Sequence, residues 1–342
     1  MANSICSTDI VVIGAGPVGL FSVFEAGMLK MKCHVVDALD DVGGQCIALY
    51  PEKPIYDIPA QPKIDAQKLV QNLERQAAPF KPTYHMGQQV TQLTALNTGG
   101  WRVTTNKGNQ IEAAAVIIAA GCGAFGPNKP PMENLEQFEE KGPGRGVHYM
   151  VTRREDFRDK NVVIAGGGDS AVDWALSLSE VAASLKVVHR RPKFRAAPES
   201  VDQLQNLNDS GKIELVVPYQ LRAVVGTGGT LTGVTVATLK GETRTLKADV
   251  LLPFYGLSMD LGPIADWGLD VSKNNIVVDP ATQATSVDGI FAVGDICTYS
   301  HKLKLILQGF AEAATVAHAI YPRIYPDTAL HFEYSTTSGV PQ

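Results

Sequence analysis

The chain has 342 residues, 45% of them hydrophobic and 19% charged, which is enough for two domains with apolar cores and is typical of a soluble globular protein. A formal charge of −5 is opposite in sign to the footprint of a nucleic-acid-binding domain, and no apolar stretch reaches the ~18–20 residues of a membrane helix. The five cysteines (Cys6, Cys33, Cys46, Cys122, Cys297) contain no C-x-x-C pair for zinc or redox chemistry, so they read as reduced thiols of a cytoplasmic protein without a metal site.

The β-branched run Ile10-Val-Val-Ile13 stops at Gly14, and helix-compatible sequence follows from Pro17 to Met31. The run lacks the basic region of a secretory signal and reads as a strand. A second apolar run, Cys33-His-Val-Val36, closes on Asp37. Strand, glycine turn, helix, strand and acid in this order predict a dinucleotide-binding βαβ unit. Gly14 permits the tight turn, Gly16 lets the backbone approach a pyrophosphate, and Gly19 lets the helix pack close to the sheet. The helix N-terminus offers free N–H groups to phosphate. The Asp37 carboxylate is placed to accept hydrogen bonds from ribose hydroxyls.

A Gly- and Pro-rich loop from Asp41 to Pro59 follows, longer than a simple connection. Asp65 is positioned to cap a helix whose Leu69, Val70 and Leu73 share a face. Short alternating strands are predicted around Val90 and Trp101, then a buried strand over Ala115–Gly121.

The plan then repeats. Lys160-Asn-Val-Val-Ile-Ala165 leads into Gly166-Gly-Gly168-Asp169-Ser170-Ala171, a helix is predicted from Ala171 to about Ala183, and Leu185-Lys-Val-Val enters His189-Arg190-Arg191 and Arg195. Alternating strands are predicted at Ile213–Val217 and Gly233–Ala237, and a buried run at Val250–Gly256. Two copies of one plan imply two dinucleotide sites. Their second strands end differently: Asp37 would repel a 2′-phosphate, whereas the guanidiniums after His189 would bind one, so the second site is expected to prefer NADP(H). Further on, Gly289-Ile-Phe-Ala-Val-Gly294-Asp295 puts a carboxylate at the end of a strand, and a helical pattern runs from Leu305 to Tyr321. The tail from Pro322 to Gln342 is rich in aromatic and hydroxyl side chains.

Taken together, Gly14-x-Gly16-x-x-Gly19, Gly43-Gly44-Gln45, Val116–Gly121, Gly166–Ala171, His189-Arg-Arg and Ala292-Val-Gly-Asp295 resemble the flavoprotein reductases of thioredoxin-reductase type over almost the whole chain. The resemblance implies an α/β fold of two Rossmann-like domains. An NADP domain at 125–256 would be inserted between the two parts, 1–124 and 257–342, of an FAD domain. The redox C-x-x-C of thioredoxin reductase has no counterpart in Gly146–Thr152, and the partner position of Cys46 in a glutathione-reductase arrangement is Pro51.

The subgroup without the dithiol is the thioredoxin-reductase-like ferredoxin–NADP(+) reductases, whose flavin loop Gly43–Pro59 resembles. That resemblance implies electron exchange between NADP(H) and ferredoxin, or a similar one-electron carrier, through FAD. Hydride would pass to flavin N5, and single-electron steps would follow. It further implies that Gly14, Gly16, Pro17 and Gly19 hold the FAD pyrophosphate, Asp37 the adenosine ribose, Val90 the adenine and Asp295 the ribityl chain. Gln45 would touch the flavin, Tyr50 would stack on it, and Phe125 would pack beside it. Tyr334, Ser335 and Thr336 would cover its other face from a C-terminal tail, often that of the partner in a homodimer. Gly166, Gly168, Asp169, Ser170, His189, Arg190, Arg191 and Arg195 would hold NADP(H). The alternatives are an NADPH-dependent disulfide or quinone reductase of the same fold, and a flavin-binding sensor without turnover.

Overall fold

Ile10, Val11 and Val12 are fully buried because their strand, Ile5–Ile13, has a parallel neighbour on each side, Cys33–Val36 and Gln110–Ile118. The computed structural model describes residues 5–139, 146–330 and 339–340, apart from the side chains of Ala124, Phe125 and Met259. It divides into two compact units, Met1–Phe125 with Met259–Gln342, and Gly126–Ser258.

Among the described residues, the first unit holds a seven-stranded sheet. Its order is Thr83–His85, Cys33–Val36, Ile5–Ile13, Gln110–Ile118, Trp101–Thr105 and Val90–Ala95, with Ile290–Ala292 also parallel to Gln110–Ile118. The helices Pro17–Met28 and Ile306–Ile324 pack on each other, and Val23, Ala26, Val316 and Ala317 share one core cluster with Val12 and Ile117. The helix Ala66–Ala77 buries Leu69, Val70 and Leu73 as predicted, and Asp65 stands at its N-cap position without a side-chain capping bond.

The second unit repeats the arrangement at smaller scale. A four-stranded parallel sheet has the order Glu214–Val216, Ser184–Val188, Asn161–Ala165, Val250–Pro253. The glycine turns are built alike. Gly14 donates to the Val36 carbonyl at 2.8 Å and Gly166 to the Val188 carbonyl at 3.0 Å. Ala119 donates to Ile13 and Phe254 to Ala165, each at 2.8 Å.

The structure departs from the sequence-based elements in three places. Glu214–Val216 joins the parallel sheet, and the antiparallel meander is Gln220–Thr227, Thr230–Ala237 and Thr243–Lys247. The helix Pro198–Asp209 was not predicted, because only Leu204 is buried and the apolar period is weak; Pro198 at its first turn with Glu199 behind it was the available signal. The C-terminal helix continues through Pro322 to Ile324. A proline one turn from a helix end forfeits a single backbone bond, and buried Val316, Ala317 and Ile320 hold the segment in place. Among the described residues, no helix is long and apolar enough to cross a membrane.

Candidate functional site

In the first unit, Ile13 is in register with both Val36 and Ile118, and Ile118 with Ala292. Four strands therefore end at one edge of the sheet, and the residues that follow them meet there: Gly14, Asp37, Ala119 and Gly294-Asp295. A cavity of about 390 Å³ opens at this edge, lined among others by Gly14, Gly16, Pro17, Asp37, Gln45, Tyr50, Val90 and Asp295. That volume lies within the ~300–1,000 Å³ typical of cofactor and ligand sites.

Each wall residue has a local cause. Gly14 has φ of +111°, and a Cβ there would run into the Ala119 carbonyl. Gly19 does not line the cavity; a Cβ on it would overlap the Gly14 carbonyl oxygen, so it serves the packing of the helix on the turn. Gly16 differs, since a Cβ on it would meet nothing within 4 Å. Asp37 accepts from the Ala15 N–H at 2.7 Å and the Leu39 N–H at 2.8 Å. Burial still pushes its carboxyl above the usual range against the pull of those two donors.

The Gly43 N–H donates to the Ala15 carbonyl at 2.9 Å, folding the long loop back over the turn. Gly44 then starts the short helix Gln45–Ala48 that carries Gln45 to the cavity. The Tyr50 hydroxyl lies 4.0 Å from Cys46 Sγ. Burial, with Cys46, Asp295 and Cys122 nearby, raises its ionisation well above the usual value, so the phenol stays neutral. Burial likewise raises the Asp295 carboxyl; Lys302 and Lys304 oppose this and Glu312 adds to it.

Sequence reasoning missed several wall residues: Leu261, Pro263, Ile264, Trp267 and Ile306. They come from the segment that returns after the second unit, and no local pattern marks them as cavity residues. The side chain of Phe125, and Tyr334, Ser335 and Thr336, lie outside the described residues.

In the second unit, Ala165 is in register with Val188 and Pro253, so Gly166 and His189 leave the same edge. The basic loop turns back onto the glycine turn: the Arg195 N–H donates to the Gly167 carbonyl at 2.7 Å, and the Ala197 N–H to Asp169 Oδ1 at 3.0 Å. Asp169 thus holds the loop, and Ser170 beside it is exposed. The His189 ring lies against Gly167, where a Cβ would clash with it, and is tilted 31° to the Phe194 ring at 5.1 Å. Burial, with the charges of Arg195, Arg190 and Arg191, holds the imidazole below its ordinary value and hence neutral at pH 7. Arg190, Arg191 and Arg195 are exposed, and none forms an ion pair with a described residue. Gly168, like Gly16, has nothing within 4 Å of an added Cβ.

These features fit bound dinucleotides. Packing within the protein explains Gly14, Gly19 and Gly167 but not Gly16 or Gly168, whose open faces leave room for another molecule's backbone or phosphate. Trp267 Nε1 in the first unit and His189 Nε2 in the second are buried polar atoms without a hydrogen-bond partner among the described residues.

Comparison with known proteins agrees with this geometry. Among solved structures, the thioredoxin reductase of T. acidophilum has a TM-score of 0.79 at 24% identity, covering 92% of this chain and 98% of that one. The Lactococcus lactis thioredoxin reductase has a TM-score of 0.78 at 23% identity, covering 93% and 99%. At these identities the likeness is one of fold, the two-domain thioredoxin-reductase-like α/β fold. The family described as pyridine nucleotide-disulphide oxidoreductase matches residues 8–319. This chain belongs to that family.

Among its curated relatives, a protein of Paramagnetospirillum magneticum is 65% identical over 335 residues, 98% of each chain. One of Rhodospirillum rubrum is 60% identical over 337 residues, 98% of this chain and 96% of that one, and one of Rickettsia akari 58% over 333 residues, 97% and 98%. All three are named ferredoxin–NADP reductase.

Within this oxidoreductase family the present chain lacks a dithiol. Its five cysteines are all free. Cys46, at 2% exposure, has its thiol pushed up to about 11 by burial, with a smaller push from Asp295, so it is no thiolate at neutral pH.

Proposed function

We propose that this protein is a ferredoxin–NADP reductase, with FAD in the cavity of the first unit and NADP(H) on the glycine turn of the second. One observation carries the proposal: two turns of the same construction are followed by opposite charges, a carboxylate at Asp37 and, after His189, three exposed guanidiniums without an ion-pair partner among the described residues, with no thiol pair to accept electrons. The curated relatives' shared name supports ferredoxin, or a similar iron–sulfur carrier, as the other substrate.

When bound, FAD supplies the exchange between two electrons arriving as hydride and single electrons leaving for an iron–sulfur protein. The chain's own residues bind and orient. The N–H groups at the start of the helix Pro17–Met28, with Gly16 leaving space, would receive the pyrophosphate. Asp37, fixed by the Ala15 and Leu39 amides, would accept from ribose hydroxyls, and Val90 would face the adenine. Asp295 would accept from the ribityl chain. Tyr50 would stack on the ring with Gln45 and Phe125 beside it. Gly166, Gly168 and the start of the helix Asp169–Leu178 would receive the second pyrophosphate. Asp169 would hold the basic loop on which Arg190, Arg191 and Arg195 grip the 2′-phosphate, next to neutral His189. By likeness to the dithiol-free subgroup, Tyr334, Ser335 and Thr336 would shield the ring, and the protein would be a cytoplasmic homodimer. No side chain need act as acid or base, since hydride carries no separate proton.

The test is direct. The purified protein should be yellow, should bleach with NADPH, and should turn over when ferredoxin is added. Arg190→Ala with Arg191→Ala should weaken NADPH about 10- to 100-fold, because charge-assisted hydrogen bonds contribute roughly 1.5–3 kcal/mol, while NADH use changes little. A colourless protein that cannot be reconstituted, or equal effects on NADPH and NADH, would sink the proposal.

A further inference from the structure

Behind the Gly294-Asp295 wall of the cavity lies an ion pair that binding of the cofactor does not call on. Glu312, in the second turn of the C-terminal helix, pairs with Lys302; their side chains are 2% and 4% exposed. A buried pair of this kind has a large desolvation cost and is held only when its remaining polar atoms are satisfied. Here they are. Glu312 Oε2 accepts from the Gly294 N–H at 2.7 Å and from the Cys297 thiol at 3.7 Å. Its Oε1 accepts from Lys302 Nζ and from the Tyr299 hydroxyl at 2.6 Å, and Gln308 Nε2 donates to that hydroxyl at 2.8 Å. The Lys302 ammonium also lies over the Tyr299 ring, 5.6 Å from its centroid.

Apolar side chains of similar volume could fill such a space at no loss of stability. What they could not supply is a carboxylate gripping the backbone of Gly294, one residue before Asp295, where both line the cavity. Nor could they set two opposite charges behind that wall. Screening by water is weak in a buried site, so each charge acts strongly on whatever occupies the cavity.

We propose that the Glu312–Lys302 pair positions the Gly294-Asp295 turn and, through its two balanced charges, sets the midpoint potential of the flavin bound in the adjoining cavity. This rests on the reading of that cavity as a flavin site. Glu312 and Lys302 act through the turn and through their field, as positioning residues. Because the bound ring gains negative charge on reduction, removing one partner has a sign. Without Glu312 the remaining ammonium favours the reduced ring, and without Lys302 the remaining carboxylate disfavours it.

The experiment is a reductive titration of holoenzyme against a reference dye for the wild type, Glu312→Gln, Lys302→Met and the double variant. Glu312→Gln should raise the midpoint potential and Lys302→Met should lower it. Each should change the ratio of reduced to oxidised flavin at least about tenfold, which is about 30 mV for a two-electron couple. The double variant should return towards the wild type. A purely structural pair would lower melting temperature and flavin retention in all variants without that ordering of signs. If a single variant loses its flavin, Tyr299→Phe serves instead: it removes one donor from Glu312 at constant charge and should lower the potential by less than Lys302→Met. Single variants that move the potential in the same direction, or not at all, overturn the inference, as does an unmoved potential in Tyr299→Phe. A wild type that holds no flavin fails earlier and removes the cofactor reading along with it.

Discussion

Asp295 and Asp37 are part-buried carboxyls that carry a cost in the folded chain. Burial raises both carboxyls above their ordinary value, so in the protein without cofactor the charged form is disfavoured relative to the unfolded chain. The native state then binds more protons than the unfolded one between the ordinary carboxyl value and the raised one. Stability contributed by these groups accordingly falls as pH rises through that window. Asp295→Asn removes the cost. Its apoprotein should melt higher than the wild-type apoprotein at pH 7, and the gap should close below the ordinary carboxyl value of 3.8. The same variant should release FAD faster and bind it about tenfold or more weakly, since a hydrogen bond to a charged acceptor contributes roughly 1.5–3 kcal/mol. Paired thermal melts and flavin-release measurements check both halves; an apoprotein melting lower at pH 7 would contradict the first.

At the scale of the element, the glycines of the strand–turn–helix unit differ in what surrounds them. Gly19 lets the helix Pro17–Met28 sit on the turn, because a Cβ there meets backbone that cannot move aside. Gly19→Ala should destabilise the first unit by about 3 kcal/mol, the upper part of the overpacking range. Gly16 stands at the N-cap with φ of −71°, a conformation alanine adopts freely. Gly16→Ala should therefore cost no more than about 1 kcal/mol, the loss of a favourable cap residue, while reducing FAD affinity severely. Denaturant melts of the apoprotein beside flavin titrations separate the two glycines. Gly168→Ala offers the same contrast in the second unit, with NADPH affinity as the readout.

For the molecule as a whole, the chemistry of its cysteines separates electron transfer to a protein carrier from disulfide reduction. Burial pushes the thiols of Cys33 and Cys297 up to about 12 and that of Cys46 up to about 11, whereas Cys6 and Cys122 are only half-buried. The native protein should react rapidly with DTNB at Cys6 and Cys122 alone, and all five thiols should appear only on unfolding. NADPH should not drive continuous DTNB reduction above the rate without enzyme. Turnover that is lost in Cys46→Ser would mean that a thiol does the chemistry after all.

The two glycine turns, the strands around them and the contrast between Asp37 and the arginine loop were legible in the sequence because each rests on local geometry. A β-branched run ending at glycine, a helix-compatible stretch and a charge after the second strand all lie within about thirty residues of one another. The helix Pro198–Asp209, the placement of Glu214–Val216 in the parallel sheet, and the wall residues Leu261, Trp267 and Ile306 were not legible. A helix with one buried side chain leaves almost no period, and a short strand shows its residues but not its neighbours. Glu312 reads in sequence as one more polar helix residue; only the fold buries it against Gly294 and Lys302. By itself, then, the sequence determined where the two glycine turns follow their strands and which charge stands after each second strand, since backbone conformation and charge belong to the residues themselves. The tertiary structure alone decided which distant segments close the cavity and which charges lie behind its wall, because burial and register exist only once the strands have paired.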